Sequence, residues 1–235
     1  SLWTRALRAT LTRAAEDFRP DVVIPHHLWM LTSLAVELFP EAKSIGVCHY
    51  TDLRQAMLNP DLKERYVTNI HKLDMILSLC ETHQDDICRI HSSELTRVMP
   101  IGGGFDGDLF YPSPKKFAGG PVKILYAGKI DPSKGVFALI EAFISLKKDV
   151  DLSLSLVGTP RREHADRLNM LARENSGIQM YPAQPQDQRA RIMREHHIFA
   201  MPSFFEGLGL IALEALACGL WTVSTEIEGL ISVLG

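Results

Sequence analysis

Short apolar runs and amphipathic stretches take turns along almost the whole chain, and this alternation most constrains its fold. The first series predicts strands at 21–25, 43–48, 75–79 and 95–99, with helices at 2–18, 28–38, 61–72 and 82–90. The segment from Gly102 to Gly120 is rich in glycine, carries Pro112 and Pro114, and reads as a linker. A second series follows, with strands at 122–127, 152–157, 178–180, 197–201 and 221–224. Its helices fall at 134–147, 163–174, 187–194 and 208–217. Strands that alternate with helices imply parallel sheets covered on both faces. Two such series predict an α/β chain of two Rossmann-like domains, at 1–111 and 112–235. Doubly wound sheets bind ligands beyond the carboxyl ends of their strands, which singles out the loops at 49–52, 128–135, 158–160 and 202–209.

Composition narrows the function classes. Hydrophobic residues make up 46% of the chain and charged residues 23%, as in an ordinary globular protein. A net charge of −3 gives no electrostatic footing for nucleic acid or for an anionic membrane surface. No apolar run approaches the roughly 18–20 residues of a spanning helix. Cys48, Cys80 and Cys218 lie in apolar surroundings and, with Cys88, form no CxxC pair, so they read as reduced residues of a cytoplasmic protein. No His/Cys/Asp cluster has metal-ligand spacing, and no metal or cofactor is expected. His26–His27 and His196–His197 are neighbours at strand ends, and neighbours on a strand point to opposite faces.

The most chemical stretch runs from Phe204 to Gly219, FFEGLGLIALEALACG. The apolar run His197–Met201 precedes it as a buried strand. Gly207 and Gly209 mark the turn into a helix with apolar positions at Leu210, Leu213 and Ala217. Glycines there let the backbone approach a ligand, and a helix N-terminus offers unpaired N–H groups to an anion. Glu206 and Glu214 bracket seven residues. Solvated glutamates usually explain such a pair, but Glu214 sits in an otherwise apolar helix and needs a partner or a role. Upstream, the strand at 123–127 runs into Gly128-Lys129-Ile130-Asp131-Pro132-Ser133-Lys134-Gly135. Two lysines on one strand–helix loop can converge on an anion.

These residues resemble the Glu-x7-Glu signature of retaining GT-B glycosyltransferases, family 4 in particular. The resemblance rests on Pro202-Ser203 at the strand end, Glu206, Gly207-Leu208-Gly209-Leu210, and Glu214-Ala215-Leu216-Ala217-Cys218-Gly219. It implies the GT-B plan, with an N-terminal acceptor-side domain and a C-terminal domain for a UDP- or GDP-sugar. The family's basic pair is most often Arg then Lys. Here it is Lys129 and Lys134, so a point charge stands where a bidentate fork is commoner. The resemblance gives both lysines the donor diphosphate, Glu206 the sugar hydroxyls and Glu214 the ribose hydroxyls. Gly128 and the backbone at Gly207, Leu208, Gly209 and Leu210 would lie along the diphosphate. Gly158 and Thr159 would flank the diphosphate or sugar, and Ala183 and Gln184 would line the base.

Two further stretches carry the likeness. Val98–Asp106 with Asp108–Pro112 resembles the family's P-x-G-x-D…F-x-P crossing segment, although Asp106 serves equally as a turn cap. Gly46–Arg54 resembles its histidine-bearing strand end, which gives His49 a contact with the donor sugar. Asp52 and Arg54 read either as an ion pair or as acceptor-placing groups. Family members open with a further strand and glycine-rich turn and continue beyond the equivalent of Gly235, so the chain reads as truncated at both ends. The acceptor is left open among glycan, lipid and small molecule, and peripheral membrane contact with it. Two alternatives stand beside the transferase: a nucleotide-sugar-binding module without turnover, and a GT-B nucleotide-sugar epimerase or phosphorylase.

Overall fold

A computed structural model describes residues 2–114 and 119–234; residues 115–118, inside the expected linker, lie outside the described residues. The chain forms two compact units, Ser1–Gly103 and Gly104–Gly235.

In the first unit the elements run α1 (Leu2–Asp17), β1 (Val22–Val23), α2 (Met30–Leu38), β2 (Lys43–Val47), α3 (Thr51–Leu58), α4 (Pro60–Tyr66), β3 (Met75–Ser78), α5 (His83–His91) and β4 (Val98–Pro100). The sheet order is β1-β2-β3-β4, and every neighbouring pair is parallel. Leu28, Leu53, Ile70, Leu73, Ile76 and Ile87 fill its core. The helix expected at 61–72 is instead α4, which ends at Tyr66, followed by a short 3-10 turn at Ile70–Lys72, and α3 precedes it where no helix was expected. Asn59-Pro60 divides the helices, because proline disfavours helical backbone in the residue before it and is well placed at a helix start.

In the second unit the elements run β5 (Val122–Ala127), α6 (Val136–Leu146), β6 (Leu152–Val157), α7 (Arg162–Glu174), β7 (Ile178–Tyr181), α8 (Gln186–Arg194), β8 (Ile198–Met201), α9 (Leu210–Ala217), β9 (Trp221–Ser224) and α10 (Glu228–Leu234). The parallel order is β7-β6-β5-β8-β9. Alternate residues of the central strands feed two separate cores. Leu125, Ala127, Phe199 and Met201 pack with α8, α9 and α10 through Met193, Ala212 and Leu230. Ile124, Tyr126, Leu154 and Ala200 pack with α6 and α7 through Ile140, Phe143 and Leu168. The period of two thus covers both faces of the sheet with helices.

The chain moves outward from β5 to β7, then returns to place β8 on the other side of β5. This reversal opens a switch point between β5 and β8, where doubly wound sheets hold their ligands. Phe110 is 1% exposed in the core of the second unit. Arg194 Nη1 donates to Leu109 O at 2.7 Å, and its guanidinium lies 4.4 Å from the Tyr111 ring centre. Residues 109–111 therefore pack with the second unit, and the units divide at 103/104, ahead of the 111/112 break read from the linker.

Candidate donor site

The loop after β5 is built around Asp131. Its Oδ1 accepts from Ser133 N at 3.0 Å and from Ser133 Oγ at 2.6 Å, which starts the 3-10 turn Pro132–Lys134. The Ser133 hydroxyl, then its amide, hold the Asp131 carboxyl below the usual range, with the charges of Arg161 and Lys129 adding to this. Tyr126 Oη donates to Lys129 O at 2.6 Å, fixing the backbone of Lys129 while its side chain stays exposed. Gly135 ends the turn at φ 69°, and a Cβ there would lie 1.9 Å from Pro202 O. Only glycine lets the loop after β5 touch the loop after β8. Phe204 N then donates to Ser133 O at 3.0 Å.

This contact brings Lys134 and Glu206 together. Lys134 Nζ donates to Glu206 Oε1 at 2.6 Å and to Phe205 O at 3.1 Å. Ser203 Oγ donates to the same carboxylate oxygen at 2.9 Å. The side chains are 26% and 16% exposed, so the pair is shielded yet open on one side. It stands at the switch point between β5 and β8.

Gly209 caps α9 at φ 68°, and Ala212 N and Leu213 N reach back to its carbonyl. The Gly207–Leu210 backbone therefore forms the positive end of α9. Leu208 is buried and Leu210 exposed at this end. Glu214 lies farther along α9 and is 7% exposed. Its Oε2 accepts from Arg189 Nε at 3.0 Å and its Oε1 from Arg189 Nη2 at 2.8 Å. The partner that its burial demanded is an arginine on α8.

The remaining expected positions line the same sheet edge. Gly158 N donates to Tyr181 O at 3.0 Å, at the ends of β6 and β7. Just beyond Thr159, Pro160 bridges to Ile130, and Arg161 pairs with Asp131, tying this loop to the basic one. Ala183 is exposed after β7, and Gln184 Nε2 donates to Pro182 O at 3.0 Å.

In the first unit His49 follows β2. Its Nε2 lies 2.9 Å from His26 Nδ1, and its ring centre 4.4 Å from that of His27. The expectation that His26 and His27 face opposite ways is overturned. Both lie beyond β1, and His27 has φ 66°, so strand alternation no longer applies. Burial, then the His27 charge, push the His49 imidazole below its ordinary value, with Asp52 opposing. Asp52 is 3% exposed. It accepts from Leu28 N at 2.5 Å, Leu53 N at 3.1 Å and His49 N at 3.4 Å. It thus anchors the backbone around His49. Among the described residues no group of three or more His, Cys, Asp or Glu side chains is placed to hold a metal ion. No helix among them is long and apolar enough to cross a membrane.

Comparison with known proteins decides the family. The sequence model for glycosyl transferases group 1 matches residues 110–235, more than half of the chain. The chain belongs to this family. Relatives in sequence include D-inositol 3-phosphate glycosyltransferases. That of Mycobacterium sp. strain KMS is 25% identical over 174 residues, 68% of this chain and 39% of its own length. That of Xylanimonas cellulosilytica is 30% identical over 178 residues, 68% of this chain and 42% of its own. The chain thus spans about two fifths of these curated relatives. Among solved structures, sucrose-phosphate synthase from Thermosynechococcus elongatus matches with TM-score 0.74 at 18% identity, over 95% of this chain and 60% of that one. HepE of Anabaena, crystallised with UDP-glucose, matches with TM-score 0.73 at 16% identity, over 97% of this chain and 65% of that one. The fold is GT-B.

Within this group 1 chain, Arg189, Ser203 and Asp131 were missed by sequence reasoning. Arg189 left a trace: it precedes Ala190 and lies one turn before Met193, both fully buried, so an arginine borders the inward stripe of α8. A buried acid in α9 called for such a cation.

Proposed function

We propose that this chain carries the donor site of a retaining glycosyltransferase that moves a sugar from a UDP- or GDP-sugar to an acceptor hydroxyl. The observation that carries the reading is the Lys134–Glu206 pair at the β5/β8 switch point. A cation for phosphate and a carboxylate for hydroxyls there match the two ends of a sugar–diphosphate linkage.

The chemistry follows from charge. A bound diphosphate offers Lys134 two negative groups in place of one carboxylate, and exposed Lys129 adds a second cation from the same loop. The Gly207–Leu210 amides at the start of α9, together with Gly128, complete the anion site. Glu206, released from Lys134, accepts from sugar hydroxyls, and Glu214 accepts from the ribose. Gly158 and Thr159 flank the diphosphate or sugar, while Ala183 and Gln184 border the base.

In the transfer, the bond from the anomeric carbon to the diphosphate oxygen breaks, and its electron pair leaves on the diphosphate. The acceptor oxygen forms the new bond on the same face, and its proton passes to a diphosphate oxygen. Configuration is retained without an enzyme nucleophile. Catalysis is then positioning plus stabilisation of the leaving charge, with two lysines and a helix end doing the neutralising. The UDP-glucose held by HepE, a protein of the same fold, supports this donor class. The four free cysteines support a cytoplasmic setting.

The test is incubation with UDP- and GDP-sugars and a panel of glycan, lipid and small-molecule acceptors. Nuclear magnetic resonance would follow the anomeric configuration. Release of nucleoside diphosphate with a retained linkage is expected. Binding without release would point instead to a non-catalytic module, and an epimerised sugar nucleotide to an epimerase.

A further inference from the structure

We propose that Arg189 is a positioning residue for donor binding: it holds the Glu214 carboxylate in the orientation that accepts the ribose hydroxyls. The inference rests on the reading of Glu214 as the ribose contact and assigns it a dependence on α8. Arg189 meets Glu214 with two separate nitrogens, one per carboxylate oxygen, at 3.0 and 2.8 Å. A fork of this kind fixes the plane of the carboxylate, which a single ammonium cannot do. Each oxygen accepts one bond from Arg189 and keeps further lone-pair capacity for a ribose hydroxyl.

The guanidinium is itself fixed. Its central carbon lies 5.6 Å from the ring centre of Phe110, which is buried in the same core. The Arg189 side chain is 20% exposed and that of Glu214 9%. A carboxylate so shielded would be costly alone, and an opposite charge in bidentate contact offsets that cost. Arg189 thus keeps an acidic acceptor in a mostly apolar helix, aimed by geometry rather than by side-chain freedom.

The experiment compares UDP and GDP with their 2′,3′-dideoxy forms by calorimetric titration, in the parent chain, Arg189→Met, Arg189→Lys, Glu214→Gln and the Arg189→Met/Glu214→Gln double variant. The ratio of ribo to dideoxy affinity reads the hydroxyl contact alone. The dideoxy affinity reports whether the rest of the site still folds. In the parent the ratio should be on the order of tenfold, one charged hydrogen bond converted to affinity. Arg189→Met should bring it close to one while dideoxy affinity stays within about twofold. Arg189→Lys, which keeps the charge and loses the fork, should fall between and guards against a folding failure of the Met variant. The double variant should lose no more than Glu214→Gln alone.

If Glu214→Gln abolishes the ratio and both Arg189 variants retain it, the positioning role is overturned and the ribose reading stands. If the parent shows no ratio, or Glu214→Gln keeps it, the ribose reading falls and takes this inference with it. A loss of melting temperature in Arg189→Lys with an unchanged ratio would mark the pair as structural and also overturn the proposal.

Discussion

Lys134 Nζ and Glu206 Oε1 lie 2.6 Å apart, so the cation suited to phosphate and the carboxylate suited to hydroxyls neutralise each other. The pair holds both groups in place on shielded ground, and an incoming diphosphate would exchange one partner of Lys134 for a stronger one. Lys134→Ala is expected to weaken UDP or GDP binding by about 1.5–3 kcal/mol, the range for a charged hydrogen bond. The melting temperature should move little beside that. Calorimetry with thermal unfolding checks this, and equal affinity in variant and parent would remove Lys134 from the site.

Gly135→Ala is expected to disrupt the site through the backbone. The residue has φ 69°, and the new Cβ would meet Pro202 O at 1.9 Å. Strain at positive φ and a backbone clash together should destabilise the second unit by more than about 3 kcal/mol. Denaturant unfolding measures it; a change below about 1 kcal/mol would mean that the two loops part easily.

Stability should fall on acidification because of two buried imidazoles. His83 and His91 are 0% and 4% exposed, and burial pushes each from 6.5 down to about 4. Asp52 and Asp86 pull His83 the other way; Asp52 does the same for His91, while Lys63 adds to its fall. The unfolded chain takes up these protons first, so their contribution is complete above about pH 6.5 and lost progressively toward pH 4. The loss by pH 4 is on the order of 2–3 kcal/mol for each group. Urea midpoints from pH 7.5 to 4 should decline, and His83→Phe, which keeps the stack on Tyr50, should flatten the decline.

His49→Ala is expected to lower sugar transfer and leave nucleoside diphosphate affinity near that of the parent. The basic loop and α9 lie in the second unit, whereas His49 belongs to the first. Steady-state rates beside calorimetry separate the two effects. A joint fall in nucleotide affinity and melting temperature would give His49, hydrogen-bonded to His26, a purely structural role.

Much of this was legible in residue order, for local reasons. The βα alternation gave both parallel sheets, and the Gly135 and Gly209 turns marked the loops that carry Lys134 and Glu206. What escaped was tertiary. The Arg189–Glu214 fork joins α8 to α9, and no spacing within either helix announces it. The histidine group escaped because the pleat rule was applied past the end of β1, where His27 turns left-handed. Helix α3 begins inside the loop expected at 49–52, and its buried Asp52 serves backbone amides rather than solvent, a tertiary role that residue order does not announce.

Calorimetric titration of Glu206→Gln and Glu214→Gln with a nucleoside diphosphate and with its sugar conjugate separates the two roles at the proposed donor site. Glu206→Gln should leave diphosphate affinity intact, since Lys134 is then free of its carboxylate, and lose the affinity added by the sugar. Glu214→Gln should weaken both ligands by roughly 1–3 kcal/mol. If both variants bind both ligands as the parent does, the donor site does not lie on Glu206 and Glu214.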